Sequence, residues 1–436
     1  MDVGFAEALL LIGVILTLTA ALSGWLHGTV LSATVLSLGA GVLLSVADVI
    51  SIGPDAETVV ILVEVALVLT LLSDGLLVER ELLTNDWHAP ARALVFAMPI
   101  TLALLAVAAK LLFPTLSWAE AFLLGAVLAP TDPVITSAVV TAQHVPRVIR
   151  HTLNLESGLN DGLALPFVLF FLVLATRQGG AAGEAAQLAG EAVAGGVIGV
   201  ALALVAGRSL GHLPGGGITA RYEGLFALGL GFAAFGLAEV TLGNGLIAVF
   251  AAGIALAVAR HEIPDAFVHF NESVSAAFQV LTFVVFGALI VSTGWGGDTL
   301  ALIAFIAFAL FVARPAAVLL SLIGIDLPGV YKVFIAWFGP KGVASMLFAL
   351  FVLSSSDPNR TLVFDIASFT VVGSIVAHGL TDTLGARWIE RRLARSARAE
   401  DDGVREGVEP DQRHAAQPVV APARAEQGAD DRHGGE

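Results

Sequence analysis

The 436-residue chain is 57% hydrophobic and only 14% charged, where an average soluble domain has ~25% charged residues, so most of it is built for lipid rather than water. It has no Cys, which excludes a disulfide framework, a thiolate metal site and a cysteine nucleophile; no HExxH-type spacing or nucleotide fingerprint suggests a metalloenzyme or a bound cofactor. The net charge of −15 does not describe the apolar part, because ten acids follow Arg398 in a tail whose composition reads as solvated and disordered, with no basic surface for nucleic acid.

A membrane-crossing helix needs ~20 apolar residues. Thirteen such runs, bounded by Gly, Pro or charge, are expected at 4–22, 28–47, 57–78, 91–112, 118–142, 151–176, 186–207, 222–241, 243–260, 270–292, 298–321, 329–354 and 361–386. The first has Asp2 and Glu7 where a signal peptide would have a basic region, so it is expected to be retained. The chain is thus divided into a membrane domain over 1–390 and a cytoplasmic acidic tail over 391–436. With the N-terminus outside, Arg80, Arg92, Arg147, Arg150, Arg208, Arg221, Arg260, Lys332 and the Arg387–Arg398 cluster fall inside, and only Lys110, Arg177 and Arg360 outside. That asymmetry is the positive-inside pattern of a multi-pass protein in the plasma membrane, and it agrees with an odd number of spans.

Six spans, a linking seventh and six more relate the halves as an inverted repeat, which pairs the fifth span with the twelfth. Both are interrupted in mid-run, the fifth by Pro130-Thr131-Asp132-Pro133 and the twelfth by Gly339-Pro340-Lys341-Gly342. Interrupted helices at matching places in two halves point to a transporter's binding site. Each proline lacks an N–H and crowds the carbonyl four residues back, so the carbonyls of Ala126, Ala129 and Ala336 are freed. Irregular backbone at membrane depth is tolerated where it is buried in protein or lines a cavity.

Ionisable residues in such runs are costly and mark function by default. On the sixth span the i, i+4 pairs Glu156/Asn160 and Ser157/Asp161 form neighbouring stripes, which lets Asp161 face the break in the fifth. Carboxylates of Asp161 and Asp132, hydroxyls of Ser157 and Thr131 and freed carbonyls supply the oxygens a hard cation wants. A proton and a cation then compete for the same oxygens, and a site that holds one or the other exchanges them when it alternates between sides. Three residues have structural readings as well: Asp132 as a helix cap, Glu156 as the counter-charge of Lys341 or Arg314, and Asp74 in LLSDGLLVE as an interfacial charge rather than a site-lining acid. His27, His144, His151, His261 and His269 fall at inner loops and read as solvated.

Taken together, APTDPV, ESGLNDG, GPKGV and VAHGLTD, within residues 4 to 390, resemble the NhaP-type sodium/proton antiporters, prokaryotic relatives of the sodium/hydrogen exchangers. The resemblance implies an all-α polytopic fold and a homodimer in which a six-helix core moves against a dimerisation domain, exchanging one Na⁺ or Li⁺ for one H⁺ without net charge. It implies that Asp161 carries cation and proton in turn, that Asp132 and Thr131 lie at the unwound crossing, that Ser157 is a ligand and that Asp74 lines the path. Asn160 matches the electroneutral branch, and Glu156 the acid paired with a late-span base. The chain departs from the family at Lys341, where arginine is usual; lysine lacks the planar fork, and Arg314 competes with it for Glu156. K⁺/H⁺ exchange is the nearest alternative. An intramembrane aspartyl protease would need a GxGD-type motif absent here, and a channel would conduct without coupling to protons.

Overall fold

The computed structural model describes residues 5–26, 33–53, 56–82, 88–132, 145–176, 181–210, 219–259 and 265–407, and among them every regular element is helical. In chain order these are α1 (Phe5–Leu26), α2 (Ala33–Val46), α3 (Glu57–Leu82), α4 (88–112), α5 (Trp118–Leu128), α6 (Arg147–Thr176), α7 (Ala181–Leu210), α8 (Ala220–Glu239), α9 (Gly245–Ala259), α10 (Asp265–Thr293), α11 (299–321), α12 (Gly329–Trp337), α13 (Val343–Leu353) and α14 (Arg360–Gly407). Each expected span coincides with a helix or, for the fifth and twelfth, with a half-helix that stops at the expected interruption. Among the described residues seven helices are by themselves long and apolar enough to cross a membrane, in α3, α4, α6, α7, α10, α11 and α14, and shorter apolar helices accompany them. The chain divides into compact units at 1–387 and 388–436. The backbone stays helical to Gly407, into the segment expected as tail, where Ala, Arg and Glu favour helix; residues 408–436 lie outside the described ones.

Within the first unit, glycines let backbones touch. A methyl on Gly41 of α2 would collide with the Val284 carbonyl of α10, and one on Gly287 with the Leu38 carbonyl of α2, the close approach that small residues permit between membrane helices. By contrast α7 leaves Val193, Val197 and Val205 exposed, which costs nothing against lipid.

The fourth and eleventh spans carry a residue-level trace of the inverted repeat. Each contains a five-residue π-helical turn followed by proline: Ala93–Ala97 before Met98-Pro99 in α4, and Ala309–Ala313 before Arg314-Pro315 in α11. The sequences ALVFAMP and ALFVARP occupy the same backbone device. In α4 the Met98 N–H donates to the Ala93 carbonyl, a register shift of the kind that accompanies a proline's missing donor. Each π turn packs against the other helix beyond its proline, as two halves related by a pseudo-twofold axis would.

Candidate functional site

The fifth span starts firmly. Ser117 Oγ accepts from the Glu120 N–H at 3.2 Å while Glu120 accepts from the Ser117 N–H, a reciprocal cap of the first turn. After eleven residues α5 ends at Leu128, before Pro130; Pro133 and the rest of the span lie outside the described residues. The twelfth span stops at Trp337 and resumes at Val343. The two interruptions meet, since the Asp132 N–H donates to the Pro340 carbonyl at 2.9 Å and the Val343 N–H donates to Asp132 Oδ2 at 3.0 Å.

The crossing is charged in a complementary way. Asp132 sits at the N-terminus of α13, where free N–H groups favour an anion, and the Lys341 ammonium donates to the carbonyls of Ala129 and Pro130 at 3.2 and 3.3 Å, just past the C-terminus of α5, where free carbonyls favour a cation. Asp132 therefore takes the capping position, across the crossing on α13 rather than on its own span. The glycines that flank the motif make room: a methyl on Gly342 would strike the Asp132 carboxylate, and one on Gly339 the Arg314 guanidinium.

Glu156 is held by Arg314, not Lys341. Arg314 Nη1 and Nη2 donate to the two carboxylate oxygens at 2.7 and 3.1 Å, and Nη2 also reaches the Phe338 carbonyl at 3.3 Å. Both groups are buried. The planar fork matches a carboxylate in two bonds, whereas a point-like ammonium suits separate carbonyls; Arg314 directly follows the π turn of α11.

The structure brings Thr131, Ser157 and Asn160 together. The Thr131 and Ser157 hydroxyls are 3.2 Å apart, and the Asn160 amide donates to Thr131 Oγ1 at 2.7 Å. Asp161 follows directly on α6, and the structure gives its Oδ1 no donor although it is buried; the same is true of Asn160 Oδ1 and of Asp74 Oδ2 on α3, the helix packed against α6. Asp161 lies within electrostatic reach of both Asp74 and Asp132. Buried acceptors without donors are rare and costly, and several of them together make a place for a hydrogen ion or a bare cation. Thr70, one turn before Asp74, and Ser345 on α13 also have buried hydroxyls without partners.

Sequence reasoning missed the brace behind the break. Ser374 Oγ accepts from the Lys341 N–H at 2.8 Å, and His378 places its rings' nitrogens 2.9 Å from the Ser374 carbonyl and 3.0 Å from the Trp337 carbonyl, with the Trp337 indole stacked on it at 5.2 Å. The signal was present in VAHGLTD, a histidine in an apolar run, but its partners are set by tertiary contact.

An all-helical chain in which two interrupted spans cross beside buried carboxylates falls in the class of multi-pass membrane proteins built from inverted, broken-helix repeats. More narrowly, the chain belongs to the sodium/hydrogen exchanger family, whose transmembrane family model matches residues 12–384. Among curated relatives, it is 26% identical to the K(+)/H(+) antiporter NhaP of Alkalimonas amylolytica over 65% of this chain and 49% of that protein, and 37% identical to Na(+)/H(+) antiporter 2 of Zygosaccharomyces rouxii over 23% of this chain and 13% of that one. The chain spans about half the length of the NhaP relatives it matches. Its fold is that of the sodium proton antiporter MjNhaP1 from Methanocaldococcus jannaschii, with a TM-score of 0.70 at 23% identity over 88% of this chain and 97% of that one.

Proposed function

We propose that the chain is a secondary antiporter that exchanges a monovalent cation for a proton, the two competing for Asp161 as the site opens to one side of the membrane and then the other. The observation that carries this reading is the orphaned oxygen of Asp161, next to Asp74, at the edge of a crossing whose other charges have partners. A carboxylate kept dry and undonated gains most from whatever cation reaches it. Thr131 and Ser157 supply neutral oxygens beside it. Asn160, in place of a second carboxylate, leaves one carrier charge on that face of α6 and supports one-for-one, electrically silent exchange.

The cation is Na⁺, with Li⁺ accepted. K⁺ is the second reading, favoured by relatives named as K(+)/H(+) antiporters. The protein acts as a homodimer in the plasma membrane with its N-terminus outside and its C-terminus in the cytoplasm, and residues 1–390 perform the exchange. The deciding experiment is dissipation of a pH gradient in proteoliposomes on adding Na⁺, Li⁺ or K⁺, with membrane potential followed in parallel. Cation-specific dissipation without a potential supports the reading and identifies the ion. No response to any of the three from folded protein would sink it.

A further inference from the structure

At the ends of α5 and α13 remote from the crossing lies another pair of buried carboxylates. Glu120 is in the first turn of α5 and Asp357 in the loop between α13 and α14; they are 4% and 2% exposed. Asn359 ties them, its Nδ2 donating to Glu120 Oε1 at 2.8 Å and its backbone N–H to Asp357 Oδ1 at 2.8 Å. Glu120 Oε2 accepts from the Ser117 N–H. The Asp357 carboxyl is within hydrogen-bond reach of the Glu120 carboxyl, yet its Oδ2 is buried with no donor.

The charged groups on the surrounding elements are engaged elsewhere. Lys110, at the end of α4, donates to the Pro114 carbonyl at 3.0 Å and to that of Leu116, and Arg360, at the start of α14, donates to the Ser355 carbonyl at 2.8 Å. Asp298 caps α11 through the Leu300 N–H, and Asp365 accepts from Thr293 Oγ1 at 2.7 Å. Three of the four carboxylate oxygens of the pair already face N–H groups, which repel a metal cation. Two touching carboxylates cannot both stay ionised without a counter-ion, and the smallest one that completes this geometry is a proton.

We propose that Glu120 and Asp357 share one proton, and that this O–H···O⁻ bond is a pH-operated latch joining the start of α5 to the loop that follows α13. Since α5 and α13 also meet at the crossing, the latch fixes both ends of the half-helices that frame the site. Burial holds the Asp357 carboxyl above its ordinary value of 3.8; the Asn359 N–H works against this, while the neighbouring Glu120 adds to it. A carboxyl whose folded-state pKa is raised binds its proton more tightly folded than unfolded, so the latch contributes fully at low pH and is lost as pH rises above the ordinary carboxylate range. Loss of the proton leaves two anions in contact and parts the helix ends.

The latch's effect on transport rests on the antiport reading, whereas its chemistry does not, so two measurements on the full chain separate them. In pH-difference infrared spectra of the purified protein, a protonated-carboxyl C=O band should disappear on alkalinisation, be missing from Asp357→Asn, shift in frequency in Glu120→Gln, where burial still holds the Asp357 proton but its carboxylate acceptor is gone, and survive unshifted in Asp161→Asn. In proteoliposomes, Asp357→Asn, whose amide N–H keeps the latch shut without a proton, should keep the pH dependence that proton competition at Asp161 imposes and lose the additional change that opening of the latch adds as pH rises. A titrating band that persists in Asp357→Asn, or keeps its frequency in Glu120→Gln, overturns the proposal, as does a pH profile of Asp357→Asn identical to that of the wild type. A band lost in Asp357→Asn and shifted in Glu120→Gln, while the wild type exchanges no cation, upholds the latch and removes the antiport reading instead.

Discussion

Two neighbouring regions of the core treat charge in opposite ways. At the crossing, Asp132 caps α13, Lys341 sits on the carbonyls that end α5, and Arg314 grips Glu156 with two bonds. One turn away along α6, Asp161 and its neighbour Asp74 on α3 keep buried oxygens with no donor. A satisfied buried charge fixes a conformation, and an unsatisfied one is available for a ligand. Partnered and unpartnered groups are thus told apart, Asp132, Lys341, Arg314 and Glu156 on one side and Asp161 and Asp74, the proposed carrier and its neighbour, on the other, which composition alone cannot do because all six are ionisable.

The sharpest way to break that division is at Asp161. Asp161→Asn keeps the shape and removes the charge, so exchange should fall to the background of empty liposomes while the thermal midpoint in detergent stays at or above that of the wild type. An active Asp161→Asn would move the carrier role to Asp74 or Asp132. Arg314→Met should do the reverse. It leaves Glu156 buried and unpaired, a loss of about 3–5 kcal/mol, read as a lower midpoint at fixed scan rate; adding Glu156→Met should restore much of it, because an apolar pair of similar volume avoids the buried charge. If the double variant is no more stable than the single, the pair is not chiefly a structural tie.

Much of this was legible beforehand. The thirteen apolar runs, the paired interruptions and the stripe from Glu156 to Asp161 follow from periodicity and proline chemistry, which act locally. Which base meets Glu156 was not legible: Arg314 and Lys341 are both late-span cations, and the choice is made by tertiary packing, which sets Arg314 against Glu156 and Lys341 against the carbonyls that end α5. Met98 and Arg314 are likewise not legible as counterparts from local pattern, ALVFAMP and ALFVARP lying over two hundred residues apart. Ser374, His378 and the Glu120–Asn359–Asp357 group were illegible because each joins segments distant in sequence.

Lys341→Met tests the crossing more gently. Without the ammonium, the Ala129 and Pro130 carbonyls lose a donor, for a cost of about 1–3 kcal/mol, and Lys341→Arg should recover part of it by reaching the same carbonyls with a different geometry. Equal midpoints for wild type and Lys341→Met would mean that water replaces the ammonium there and that the helix end is less enclosed than the 1% exposure of Lys341 implies.

Ser157→Ala gives the smallest effect and sharpens the boundary between the two regions, because Ser157 belongs to both. Its hydroxyl meets Thr131 Oγ1 at 3.2 Å on the satisfied side and stands one helical turn from Asp161 on the open side. Thr131 keeps the Asn160 amide in the variant, so the stability loss should stay within about 0.5–1.5 kcal/mol, the worth of one hydrogen bond. If Ser157 also supplies an oxygen to the cation, its removal should raise the half-saturating cation concentration several-fold with the maximal exchange rate little changed. A lower maximal rate at unchanged half-saturation would place Ser157 wholly with the crossing, as part of what moves rather than part of what binds.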